Sequence, residues 1–248
     1  MVGGLGLQDI YGATIERIKA QGGDKARLGI GALMWICHAE HPLSVDELCH
    51  ALGIELHSTN FNVGNTSSKT TLVSCCQGLI TTDKEGSAVR LIHFTLREYL
   101  STHPDIFSRP HSTIAEICST YLNFPRVKAL SRDDLDDDPD SFFNNYSFLN
   151  YCSLYWGVHA KKDLSDCAMS PALQLLREYD GHISAVSLAG QAWFYPRDLQ
   201  RGTSWTGLHC ASYFGIAQVV RVPNSRTGQV LRTGPVGRLI FVLTTRPA

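Results

Sequence analysis

No stretch of this sequence is long and apolar enough to span a membrane. The longest apolar run, Leu28 to Cys37, falls well short of the ~20 residues that a bilayer-crossing helix needs. The opening Met-Val-Gly-Gly-Leu-Gly-Leu-Gln-Asp lacks both a basic segment and a long apolar one, so a secretory leader is not expected. Charge of one sign is lacking too: 22 Lys and Arg stand against 23 Asp and Glu, which leaves no global field to attract nucleic acid or an anionic membrane. None of the eight cysteines forms a Cys-x-x-Cys pair, and Cys37, Cys75, Cys76, Cys118 and Cys152 lie in apolar runs, where a thiol behaves as a small buried hydrophobe. A cytoplasmic protein without disulfides is the expectation.

Catalytic signatures are also missing. The nearest approach to a phosphate-binding loop, Val63 to Thr70, ends in Ser68-Lys69-Thr70 but carries Val63 and Ser68 where glycines are required, so its backbone cannot cradle phosphates. Gly202 to Thr206 lacks the second glycine of a serine-hydrolase elbow. What is present, 44% hydrophobic residues with 9% aromatics, suffices for a globular core.

The pattern of that content is mainly helical. Leu7, Ile10, Tyr11 and Ile18 recur at helical spacing, Gly22-Gly23 stops them, and Asp24 is placed to cap a second helix whose middle, Leu33 to Cys37, is apolar all round. Ser44 and Glu47 form a capping box before Val45, Leu48, Ala51 and Leu52, with Gly53 at the stop. After a polar loop over 58–68, a third helix carries Leu72, Val73, Cys75, Cys76 and Leu79. The period then changes to that of strands, over 79–82 and 88–93, joined by Asp83-Lys84-Glu85-Gly86-Ser87. Three helices and a hairpin are the order of a winged helix, with the hairpin as the wing.

Further helices follow, begun by Leu96, Tyr99 and Leu100, by the stripe Ile114, Ile117, Cys118, Tyr121 and Leu122, by Phe148, Cys152, Tyr155, Trp156 and His159, by Ser170-Pro171 up to Gly181, and over 183–193. The organisation read from this is an N-terminal helix (1–22), a winged helix (23–101), a helical extension (102–200) with an Asp-rich loop at 133–140, a partial ankyrin repeat (201–221) and a divergent, disordered tail (222–248). The tail holds four Arg and no Asp or Glu.

Two motifs stand out. Arg90 to Tyr99 joins a strand to a helix through His93. Thr206, Gly207, Leu208, His209, Cys210 and Ala211 approximate the Thr-Pro-Leu-His-x-Ala start of an ankyrin repeat, with Gly207 in place of proline. The runs Leu33 to Leu48, Leu72 to Ile80, Val89 to Leu100 and Phe148 to Ala160, taken with that motif, resemble the middle of the large fungal NACHT and ankyrin proteins of the signal-transducing ATPase class that includes NOD-like receptors. The winged segment resembles the one also labelled a GPI inositol-deacylase winged helix, which carries no deacylase chemistry.

This resemblance covers about residues 7 to 221. It implies a non-catalytic interaction and regulatory protein whose partners are other proteins or a NACHT ATPase domain, with no cofactor of its own. It also implies that His93, with Thr95, Glu98 and Tyr99 behind it, senses ADP held by a neighbouring NACHT domain. Residues Thr206, Leu208 and His209 would hold a turn and helix start together. The bland reading of His93 is a strand-end core histidine satisfied by a backbone carbonyl.

Other constellations read as packing or surface. Cys37, His38, His41, Cys49 and His50 fail the spacing of zinc sites, and no metal is expected. The Asp133 to Asp140 run lacks the glycine and terminal glutamate of a calcium loop. A DNA-binding winged helix is the competing function, but its recognition helix, Lys69 to Gln77, offers one lysine. A third reading is a fragment or misjoined chain, motivated by the loss of the repeat pattern after Arg221.

Overall fold

A computed structural model describes residues 6–56, 58–83, 88–131, 134, 146–191 and 206–216. The chain is mainly α, a winged helix with one two-stranded antiparallel wing, continued by further helices.

Helix α1 (Leu7–Ala20) turns directly into α2 (Gly23–His38) because Gly22 and Gly23 both take positive φ, 69° and 50°, a region that favours glycine. Asp24 therefore lies inside the first turn of α2 and makes no cap; the N-cap is Gly22. The buried face of α1 is Tyr11, Thr14, Ile15 and Ile18, whereas Leu7 and Ile10 are exposed. The apolar spacing alone had placed all four of Leu7, Ile10, Tyr11 and Ile18 on one inward stripe. Helix α2 is the centre of the winged helix, with Ala32, Leu33 and Trp35 fully buried.

Helix α3 (Val45–Gly53) has the expected capping box: Ser44 Oγ accepts from the Glu47 N–H at 3.1 Å and the Ser44 N–H donates to Glu47 Oε2 at 2.8 Å. Helix α4 (Lys69–Cys75) is shorter than its apolar pattern suggested. Gln77 and Gly78 both take positive φ, which ends the helix and turns Leu79 into the wing. Strands β1 (Ile80–Thr82) and β2 (Val89–Leu91) pair with Ile80 opposite Leu91 and Thr82 opposite Val89, so their buried side chains share one face and Thr81 and Arg90 face out. The Val89 N–H also donates to the Leu43 carbonyl at 2.8 Å, tying the wing to the start of α3.

Helix α5 (Phe94–Thr102) packs on α1 and leads to α6 (Pro110–Leu122), a helix buried on nearly every side because it lies against both α8 (Leu149–Lys162) and α9 (Asp166–Arg177). A single turn, α7 (Pro125–Lys128), follows α6. Pro171 does not start α9, as its sequence suggested; Ser165 does, accepting from the Ala168 N–H at 3.2 Å, and Pro171 sits inside the helix. Gly181, at positive φ, lies in the turn before α10 (Ile183–Gln191). Helix α11 (Gly207–Phe214) docks on α8 and α9. Among the described residues no helix is long and apolar enough to cross a membrane. The Asp-rich run, apart from Asp134, and the whole of 222–248 lie outside the described residues.

Candidate regulatory face at the histidine cap

His93 is not a core residue. It is exposed and forms the N-cap of α5 in extended conformation, its Nδ1 accepting from the Thr95 N–H at 3.3 Å and lying 2.8 Å from Thr95 Oγ1. Accepting through Nδ1 makes the neutral ring the Nε2–H tautomer. Thr95 Oγ1 lies 2.8 Å from the Tyr11 hydroxyl, and Tyr11 packs at a tilt against Tyr99. The cap is thus braced from α1, which packs directly on α5 although Tyr11 and Thr95 lie 84 positions apart.

The protein uses the same cap a second time, which makes the difference informative. His182, the residue before α10, accepts the Ser184 N–H at its Nδ1 (3.1 Å) and contacts Ser184 Oγ (2.7 Å), but its Nε2 donates to the Leu122 carbonyl at 2.9 Å. Both nitrogens of His182 are consumed and the ring is buried, where burial lowers its pKa. The Nε2 of His93 has no such partner among the described residues. It is flanked by Ile92 at 56% and Phe94 at 67% exposure, large apolar side chains held in water beside a hydrogen-bond donor. Leu7 and Ile10, also exposed, lie on the helix that supplies Tyr11.

The Thr206 motif is structural. The Thr206 N–H donates to His209 Nδ1 at 3.2 Å, and the Thr206 hydroxyl lies 2.8 Å from the same atom, so the imidazole closes the first turn of α11. Ala211 is buried, Leu208 half-buried and His209 exposed. Gly207 has a reason to be glycine: a Cβ there would come within 1.8 Å of the Leu176 carbonyl oxygen of α9. Gly157 of α8 is crowded likewise, its Cβ position lying 2.2 Å from the Phe214 ring.

The cysteines and histidines between Cys37 and His50 go separate ways. Burial raises the Cys37 and Cys49 thiols to about 11, which removes thiolate character. His41 lies against Tyr151 and Tyr155, and His50 Nδ1 contacts the Asp46 carbonyl and Ser147 Oγ. Among the described residues no group of three or more His, Cys, Asp or Glu could hold a metal ion. On α4, Lys69 is the sole cation, beside exposed Thr70, Thr71 and Ser74.

One further constellation has no signal in the sequence. His38, His111, His159 and Tyr151 meet where the end of α2 faces α6 and α8. His111 and His159 are 48 positions apart, so no local spacing marks them.

Residues 16–109 match the family model described as GPI inositol-deacylase, winged helix domain, and a winged helix domain of that type is present there. No curated protein and no solved structure matches the chain.

Proposed function

We propose that this chain is a non-catalytic interaction and regulatory module of a NACHT/ankyrin-type signalling protein, acting in the cytoplasm through other proteins. Its His93 face docks against a NACHT ATPase domain and registers the ADP bound there. The observation that supports this reading is the open Nε2 of His93. The cap fixes the ring and its tautomer, while the second nitrogen, unlike that of His182, stays available. An N–H donor at a helix N-terminus suits a diphosphate oxygen, and Ile92 and Phe94 supply apolar area that burial in an interface would remove from water. Helix α11 is the stub on which ankyrin repeats would stack; about three repeats are needed for a continuous core.

The test is binding of an ADP-loaded NACHT ATPase domain to the whole chain, followed by calorimetry. The wild type binds. His93→Asn keeps a competent helix cap but lacks the imidazole, and weakens binding roughly tenfold, as expected for one lost charge-assisted hydrogen bond. Equal affinity of wild type and His93→Asn sinks the proposal. DNA binding is the alternative, motivated only by the fold; duplex affinity falling steeply with salt, undisturbed by His93→Asn, would favour it.

A further inference from the structure

The winged helix and the helical extension meet at a seam lined by histidines. His38 ends α2, and its ring packs edge-on against His111 of α6 at 5.2 Å and against Phe107. His111 Nδ1 lies 2.9 Å from Nδ1 of His159, a fully buried residue of α8. His159 Nε2 lies 2.9 Å from the Tyr151 hydroxyl, which also accepts the Glu40 N–H at 3.3 Å. One proton assignment uses every donor: Glu40 N–H to Tyr151 O, Tyr151 O–H to His159 Nε2, and His159 Nδ1–H to His111 Nδ1. The reverse assignment strands the buried Tyr151 proton. The chain of bonds therefore crosses the seam and requires both imidazoles neutral.

Adding protons undoes it. With one proton on His111, both rings cannot keep an N–H at the 2.9 Å contact, so His159 must change tautomer and point its Nε2–H at the tyrosine. With two protons, N–H faces N–H and two positive charges are adjacent. The surroundings compensate only in part: the Glu40 and Asp163 carboxylates favour a proton on His111, but burial and Lys162 outweigh them. Lys162 and Arg97 add positive charge, and both carboxylates are already paired, Glu40 with Lys162 at 2.6 Å and Asp163 with Arg109.

We infer that His38, His111 and His159, with Tyr151, form an acid-sensitive latch that holds the winged helix on the helical extension while neutral and releases it on protonation. Desolvation by burial comes first in lowering these groups, with the neighbouring imidazoles and Lys162 adding to it; His159 is held down to about 3, His38 to about 4, and His111 is lowered as well. In an opened seam each histidine returns towards an ordinary value of about 6.5. The closed form thus binds fewer protons than the open one, so its advantage is full above about pH 6.5 and shrinks as pH falls below it.

Amide hydrogen exchange on the full chain tests this, at about pH 7.5 and about pH 5 with intrinsic rates normalised. Residues 34–41 and 149–162 are expected to lose roughly tenfold or more of their protection at the lower pH, tenfold being one pKa unit, while α3 keeps its own. His111→Gln, at the partly exposed member, should lessen that loss, and imidazole NMR of the wild type should place His159 well below about 6. Should His111→Gln itself prove unfolded at neutral pH, His38→Gln replaces it with the same expectation. Seam protection unchanged with pH, equal loss in wild type and folded variant, or simultaneous loss in α3 would overturn the latch.

Discussion

Replacing Gly207 by alanine sets two effects of opposite sign against each other. Gly207 is in helical conformation at the first turn of α11, so propensity favours alanine there by up to ~1 kcal/mol. Packing opposes it, because the new methyl would stand 1.8 Å from the Leu176 carbonyl oxygen and 2.6 Å from its carbon. Ordinary contacts between heavy atoms lie at about 3.5–4.0 Å, so α11 must retreat by roughly 1.5 Å or more from a backbone atom that cannot rotate away. Overpacking of this kind costs about 1–3 kcal/mol. The upper bound is complete undocking of α11, which re-exposes buried Phe214 and Ile216 at about 1.5–3 kcal/mol each. The expected result is a net loss of about 0–3 kcal/mol in urea denaturation, the overpacking cost less the propensity gain, with faster exchange confined to 207–216 and the α8 and α9 surfaces beneath it. Proline, the residue of the ankyrin pattern at this place, carries the same Cβ and should fare no better. A Gly207→Ala variant more stable than wild type would refute the close approach of α11 to α9.

Two further outcomes follow from the same kind of reasoning. Gly157→Ala should destabilise by about 1–3 kcal/mol through its clash with the Phe214 ring, and Phe214→Leu should relieve part of that cost, so a double-mutant cycle in urea should give a coupling above about 0.5 kcal/mol; additive effects would separate the two residues. Ser44→Ala removes the side-chain acceptor for the Glu47 N–H and should cost about 1 kcal/mol, read as a lower denaturation midpoint with an unchanged slope; a silent substitution would mean the α3 cap contributes nothing.

The parts of this fold legible in the sequence are those governed by local chemistry. The Ser44 and Glu47 box, the apolar middle of α2, the hairpin and the stripes of α6 and α8 all stand where their residues put them, since a cap or a period is written within one helical turn or a few. Local rules failed where a neighbour decided. Leu7 and Ile10 have the right spacing but stand about half exposed, because the face of α1 turned inward is that of Tyr11 and Ile15, with Tyr11 against Thr95 and Tyr99 of α5. Pro171 has the chemistry of a helix start, yet Ser165 supplies the cap six residues before it and the helix runs through the proline. His93 was picked out correctly as a junction, but only the fold separates it from His182, whose identical cap ends in a carbonyl sixty positions away.

The seam between the winged helix and its extension carries the consequence for how the matched segment should be regarded. The family match stops at residue 109, one residue before α6 begins. Yet Trp35, the fully buried centre of α2, packs edge-on against Phe148 and Tyr151 of the later helices at 5.6 Å in each case, and Lys162 pairs with Glu40 across the same boundary. A winged helix cut at residue 109 would expose Trp35 and leave the Glu40 carboxylate without that partner. Re-exposing one such aromatic costs about 1.5–3 kcal/mol, a large share of the 5–15 kcal/mol that stabilises an ordinary domain. The apolar core of the matched segment is therefore completed by α6 and α8, across the seam that the latch would open. A partner docked at the proposed His93 face and protons taken up at the proposed latch would bear on adjoining elements, since Arg97 of α5, four residues from His93, donates to the Ile36 carbonyl at 3.2 Å, two residues before His38.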